Sequence, residues 1–394
     1  MGHRTYELED ADRAGRKLRM DVWYPAADDN EAFSQYPHGS SRVAHEAAPV
    51  AAGNMHPLLV YSHGHGNSST HNTVYPESLA SYGFIVASPN HTGNTDGDLS
   101  RGDLSTTDRP ADVSFVIDTL LAPGTPAGDA FAGEIAPDKI GVTGYSFGGY
   151  TTFATAAGVS YRGTTVPADE RVKAILPISR GSFYEQPFDL SQVEVPALVV
   201  AGKDDEFDLD SWARTDFGQI RSADKYLALL AGADHTDVGW SLCQQSPADK
   251  ACFNDLELAT ISQYGVAFFS RYLEGDTSFD SMLTVAYAAE HLPKVEFWQQ
   301  AIVDTNSDGR ATLVEFGRLK DNFGRQGTLA SYSRGDFNRD RRVDLADFGL
   351  LKLNFSGPPA AVPEPGGLVL LGLGLVAAWG WPGWGRRRFG QRVR

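Results

Sequence analysis

At 394 residues the chain exceeds an ordinary domain of ~100–200 residues, so more than one module is expected. Its 42% hydrophobic content with seven tryptophans suffices for a core, and a net charge of −16 excludes the basic face of a nucleic-acid binder. Cys243 and Cys252 fit no metal-site spacing, and a disulfide between them requires an oxidising compartment.

In chain order, residues 18–24, 57–62, 84–88, 140–143, 172–178, 197–201 and 226–230 read as strands. Residues 75–82, 109–121, 150–158 and 256–273 read as helices. Alternating helices with continuously apolar strands implies an α/β fold, a mostly parallel sheet covered on both faces. Active-site groups then gather at the carboxyl ends of the strands. This module is expected to span residues 1–293.

Gly144-Tyr-Ser-Phe-Gly-Gly149 lies where strand gives way to helix. A serine between glycines at such a turn is a nucleophile elbow, here with Ser146 at its tip. A Cβ at 144 or 148 would meet neighbouring backbone, and the strained turn lifts the hydroxyl toward a helix N-terminus that favours negative charge. Asp205 follows the strand 197–201, three residues beyond Gly202, where a carboxylate can orient an imidazole. Asp204 is the alternative, in a crowd with Glu206, Asp208 and Asp210. His235 follows the next strand and is the candidate base. His291 is placed beyond the last helix, His38 and His45 in an N-terminal loop, and His3 at the terminus.

The order serine, acid, histidine is that of the α/β-hydrolase fold. In His63-Gly-His-Gly66 the glycines let backbone N–H groups face inward. The expected oxyanion donors are the amides of His65 and Phe147. The His63 side chain is expected to brace the loop, and Asn90 and His91 either border the pocket or form a polar turn.

These segments, with Val22-Trp-Tyr-Pro25 and Ser88-Pro-Asn-His-Thr-Gly-Asn94, resemble the bacterial α/β-hydrolases related to dienelactone hydrolase and platelet-activating-factor acetylhydrolase. The resemblance covers roughly residues 2–290. It implies hydrolysis of carboxylic esters, often short-acyl, without a cofactor. The dienelactone branch proper uses cysteine as nucleophile, so Ser146 favours plain esterase work. The lipid-specific branch places its acid near residues 180–186, where this chain has no aspartate. A cutinase-type polyester hydrolase is the alternative within the class; an inert hydrolase fold serving as a binding component is the alternative outside it.

A repeat follows, in which residues 304–323 realign 32 positions later at 336–355. Leu313/Leu345, Phe316/Phe348, Leu319/Leu351 and Phe323/Phe355 are expected to line one helical face in each copy. Oxygen-bearing residues at alternate positions can wrap a hard cation. The repeat resembles dockerin modules, which implies calcium held by Asp304, Asn306, Asp308, Arg310 and Glu315 in the first loop. Gly309 makes its turn and Thr312 stands ninth. In the second loop the implied ligands are Asp336, Asn338, Asp340 and Asp347, with Asp344 nearby and Arg341 in the turn position. Residues 298–357 form this expected small all-α module, for which the resemblance implies a cohesin-like or cell-surface partner.

The tail, 358–394, opens with Val362-Pro-Glu-Pro365, continues with uncharged residues 366–384 and ends with Arg386, Arg387, Arg388, Arg392 and Arg394. Nineteen apolar and small residues just suffice for a spanning helix of ~20, with its arginine flank in the cytoplasm. The tail resembles Pro-Glu-Pro C-terminal sorting signals, which imply removal by an exosortase-type enzyme and delivery to the envelope or outside. Residues 1–20 hold no apolar export segment, so the true start is expected upstream. A cytoplasmic protein with a decayed tail is the alternative.

Overall fold

β1 (Gly2–Asp10) pairs with β2 (Arg16–Tyr24), setting Tyr6 opposite Met20 and Leu8 opposite Leu18, in an antiparallel hairpin closed at Ala14 and Gly15, both at positive φ. In this computed structural model the described residues are 1–26, 33–36, 39–45, 55–181, 186–207, 209–238, 256–299, 305, 311–337 and 342–354. The strands that follow are β3 (Phe33–Tyr36), β4 (Gly39–His45), β5 (His56–Ser62), β6 (Ile85–Pro89) and β7 (Ile135–Tyr145). A small hairpin, β8 (Val159–Tyr161) and β9 (Thr164–Val166), lies apart from the main sheet. Next come β10 (Val172–Ile178), β11 (Ala197–Gly202), β12 (Lys225–Leu230) and β13 (Val295–Gln299).

The main sheet runs β13-β12-β11-β10-β7-β5-β6-β2-β1-β4-β3. Its centre, from β12 to β6, is parallel, flanked by β13 and β2, each antiparallel to its neighbour in the centre. One face buries Leu58, Val60, Val199 and Leu227 beneath α2 (Ser105–Leu121), α3 (Pro126–Ala130), α4 (Phe147–Ala157) and α5 (Leu209–Gln219). The other buries Leu59, Tyr61, Val200 and Leu230 beneath α1 (Val74–Ser81), α6 (Leu256–Phe269) and α7 (Val285–His291). Successive residues of a strand thus feed opposite cores, as an apolar run in a covered parallel sheet must.

Several expectations need correction. The sheet gains β1 and the β3–β4 pair, so His45 belongs to a strand and not to a loop. His3 is not a loose terminus: it is buried, with Nε2 3.0 Å from Asp21 Oδ1. β13 carries the sheet beyond residue 293, to Gln299. His291 closes α7 instead of lying beyond the last helix. Helix α2 begins four residues before Arg109, although Pro110 deprives the Thr106 carbonyl of its helical donor. The Tyr150 hydroxyl, 3.2 Å away, supplies the missing hydrogen.

The second unit contains α8 (Leu313–Asn322) and α9 (Leu345–Asn354). Thr312 and Glu315 form a reciprocal capping box at the start of α8. Leu319 and Leu351 are buried, and the rings of Phe316 and Phe348 lie 6.3 Å apart. Leu313 and Leu345 are instead 74% and 73% exposed, so the expected apolar face is narrower. Both are the first residue of their helix, Leu313 of α8 and Leu345 of α9. Phe323, half-exposed, lies past the end of α8, and Phe355 lies outside the described residues. Among the described residues no helix is long and apolar enough to cross a membrane. The tail, including 366–384, lies outside them.

Candidate active site

The elbow forms because β7 must turn into α4 in almost no space. Ser146 sits there at φ 56° and ψ −115°, a conformation that side chains rarely adopt. It is pinned on both sides: its N–H donates to the Ile178 carbonyl at 2.9 Å, and its carbonyl accepts from the Gly181 N–H at 3.1 Å. A Cβ on Gly148 would lie 1.8 Å from the Ser62 carbonyl oxygen, and one on Gly144 2.6 Å from the same atom. Both positions therefore require glycine.

Ser146 Oγ lies 3.0 Å from His235 Nε2, and His235 Nδ1 lies 2.8 Å from Asp205 Oδ2. The second Asp205 oxygen accepts the Phe207 N–H at 3.0 Å. The Asp205 carboxylate is fully buried, whereas the Asp204 residue is exposed. A carboxylate that accepts from Nδ1–H leaves Nε2 with a lone pair facing the serine hydroxyl. The imidazole is held between two rings, Tyr145 at 5.0 Å and Phe207 at 5.2 Å edge-on, and the Tyr145 hydroxyl donates to the His235 carbonyl at 2.9 Å. A cavity of about 190 Å³ opens over Ser146, walled by Phe147, Gly181, Phe207, Leu209, Trp212 and His235. At its rim Phe207 is 50% and Trp212 37% exposed.

A family model for PET hydrolase-like proteins matches residues 38–299. The chain belongs to the PET hydrolase-like family. In class, this unit is therefore an ester hydrolase of the serine type. Over 207 residues the chain is 26% identical to Lipase 1 of Moraxella sp. (strain TA144), a match covering 52% of this chain and 51% of that protein. The match thus spans about half the length of that curated relative. A ferulic acid esterase from Streptomyces cinnamoneus superposes with a TM-score of 0.56 at 24% identity, over 75% of this chain and 95% of that one. That likeness concerns the fold alone.

In this PET hydrolase-like unit, His65 and Phe147 stand side by side, with ring centroids 5.9 Å apart. His63 does brace its loop: Nδ1–H donates to the Gly64 carbonyl at 2.7 Å, and Nε2 accepts the His91 N–H at 3.2 Å. Burial pushes the His63 ring well below its usual titration range, so it is neutral. His91 does not border the pocket. It is fully buried between Ser62 and Asp112, because the strand after which it falls ends inside the molecule. Asn90 caps the Ser69 N–H through its side-chain oxygen at 2.5 Å.

Sequence reasoning missed Gly181, Phe207 and Tyr145 as parts of the site. Tyr145 was within the elbow pattern and Phe207 two residues past Asp205. For calcium, Asp304, Asn306, Asp308, Arg310, Asn338 and Asp340 lie outside the described residues. Glu315 and Asp347 are fully buried, and Asp336 is buried. Glu315 accepts from Thr305 Oγ1 at 2.9 Å and Thr312 N–H at 2.8 Å, and Asp347 from the N–H groups of Phe337 and Asp344 at 2.7 and 2.8 Å. Among the described residues no group of three or more His, Cys, Asp and Glu side chains is placed to hold a metal ion.

Proposed function

We propose that the chain is a cofactor-independent serine carboxylic-ester hydrolase acting on small or short-acyl esters. Ser146 Oγ attacks the ester carbonyl while His235 Nε2 takes its proton, and Asp205 stabilises the resulting imidazolium. The tetrahedral oxyanion is held by the N–H groups of His65 and Phe147. His235 then protonates the departing alcohol and leaves an acyl group on Ser146. Water, deprotonated by the same imidazole, attacks this acyl-enzyme and releases the acid. One observation carries the reading: the unbroken chain Ser146–His235–Asp205, with links of 3.0 and 2.8 Å.

The polyester alternative draws on the matched family's description and on the open aromatic rim of Phe207 and Trp212. Assays of 4-nitrophenyl butyrate and of a polyester film, each with a Ser146→Ala control, separate the two. Turnover of the soluble ester alone supports the small-ester reading. Faster release from film than from the soluble ester supports the polymer, and no turnover of either removes both.

The second unit we read as a dockerin-like calcium module. Its ligands would be Asp304, Asn306, Asp308, Arg310 and Glu315 in one loop and Asp336, Asn338, Asp340 and Asp347 in the other. Buried carboxylates such as Glu315 and Asp347 suit a hard cation, which would supply countercharge and tie each loop to its helix. Residues 366–384 we read as a sorting segment cut by an exosortase-type enzyme, which would place the mature protein in the envelope or outside. Mass spectrometry of protein from its host tests this. Loss of everything beyond about Pro365 supports it, and an intact Arg394 in a cytoplasmic fraction refutes it.

A further inference from the structure

Against the loop that carries His65 lies a second serine–histidine–aspartate chain. Ser62 Oγ is 2.9 Å from His91 Nε2, and His91 Nδ1 is 2.9 Å from Asp112 Oδ2. All three are fully buried, so no substrate carbonyl can reach Ser62 and this is no second catalytic centre. Charge fixes the direction of each bond. Burial, with the nearby Arg109 cation, holds His91 down to about 3, so its ring is neutral. Its Nδ1–H donates to Asp112, which also accepts from Arg13 at 2.7 Å and from Arg16 at 2.7 and 2.8 Å. Nε2 must then accept, so the Ser62 hydroxyl donates to it. The Ser62 oxygen is left to accept from Arg109 Nη2 at 3.1 Å.

Arg109 is fully buried, and its donors fan out to both halves of the oxyanion hole. Nη2 also donates to the His63 carbonyl, beside the loop of His65. Nη1 donates to Asn94 Oδ1 at 2.6 Å. With that oxygen engaged, the Asn94 amide N–H donates to His65 Nδ1 at 2.9 Å. On the other side Nε donates to Thr151 Oγ1 at 3.0 Å in the first turns of α4, and the guanidinium lies 4.7 Å over the Phe147 ring. Burial lowers its pKa to about 9, so it still carries its charge at neutral pH.

We propose that Arg109 is the positioning residue of the oxyanion hole, joining the His65 loop to the Phe147 helix start, with Ser62, His91 and Asp112 as the relay that holds it. The proposal rests on the esterase reading above. Its physical basis is preorganisation: donors fixed before charge develops need not reorganise when it appears. A cation set against the hole also favours that negative charge over the neutral ground state, which predicts an effect on kcat and not on KM.

The test uses the full chain as wild type, Arg109→Lys, Asn94→Ala and Ser62→Ala. It measures kcat and KM on 4-nitrophenyl butyrate, affinity for a trifluoromethyl ketone that forms a tetrahedral oxyanion on a serine, and thermal unfolding. In Arg109→Lys and Asn94→Ala, kcat should fall on the order of tenfold or more, short of the ~10²–10³ for deleting a donor outright. KM should stay within about twofold, and ketone affinity should fall in proportion to kcat/KM. Ser62→Ala should show the same split, more weakly. A merely structural role lowers Tm without producing this split. Folded variants with kcat near wild type, or with a loss confined to KM, overturn the proposal. If Arg109→Lys does not fold, Asn94→Ala and Ser62→Ala decide. A wild type that hydrolyses no ester removes the esterase reading, and the proposal with it.

Discussion

Ser146 holds a backbone conformation that only its neighbours make tolerable, so the residues beneath it should be as sensitive as the serine itself. In Gly148→Ala the new Cβ would drive into the Ser62 carbonyl, whereas in Gly149→Ala the nearest atoms lie at 3.0 Å. Gly148→Ala should therefore lose most soluble folded protein and Gly149→Ala much less, as read by yield and thermal unfolding. At the acid, Asp205→Asn should lower kcat by about 10⁴-fold, because an amide cannot stabilise the imidazolium and favours the wrong tautomer. Asp204→Asn should stay within about twofold, since that side chain is outside the hydrogen-bonded chain; a larger kcat loss for Asp204→Asn than for Asp205→Asn would falsify the assignment. Ser146, Asp205 and His235 were legible because each closes a strand with its own local signature. Arg109 was not, because its partners at 62, 63, 94 and 151 are joined only by folding.

Among elements, α2 shows how a local rule yields to a distant partner. Proline inside a helix should end it, yet the Tyr150 hydroxyl satisfies the carbonyl that Pro110 abandons. Tyr150→Phe keeps the buried ring and removes only that donor. It should cost about 1–3 kcal/mol in urea unfolding, the penalty of an unpaired buried carbonyl. An unchanged midpoint would contradict this account. The same reasoning explains why the helix start was misplaced by four residues, and why β13, a five-residue strand just beyond the expected domain end, went unread: edge strands are recognised by their partner, here β12, more than by their own pattern. In the repeat, calcium added to the chelator-treated chain should raise far-UV helicity, because carboxylates clustered without a cation repel one another. Identical spectra with and without chelator would refute calcium binding.

At the scale of the whole molecule, buried ionisable groups set an acid limit on stability. Burial holds His63 and His91 well below the ordinary histidine value, His91 at about 3. The unfolded chain therefore binds protons that the folded chain refuses as pH falls below about 6.5, so stability declines through that window by ~1.4 kcal/mol per pH unit per histidine. Burial would raise Asp21, but hydrogen bonds from His3, Arg19, Ser69 and Thr5 outweigh it and hold the carboxyl at about 2. Its contribution is complete above the unfolded value near 4 and disappears as pH falls toward about 2. Both effects act in the same direction. Urea midpoints should be level above pH 7 and fall steadily from 6 to 4; a level profile between 7 and 5 would exclude the buried neutral histidines.

The direction of β13 has a practical corollary. Val295 pairs with Leu230 at the catalytic end of the sheet, and Gln299 pairs with Tyr226 at the other. The polypeptide thus leaves this sheet on the side away from Ser146 and His235. A support or label coupled just after Gln299 would grip the hydrolase from behind and leave its aromatic mouth facing the medium. Immobilised in that way, the protein should keep the kcat/KM on 4-nitrophenyl butyrate that it has free in solution.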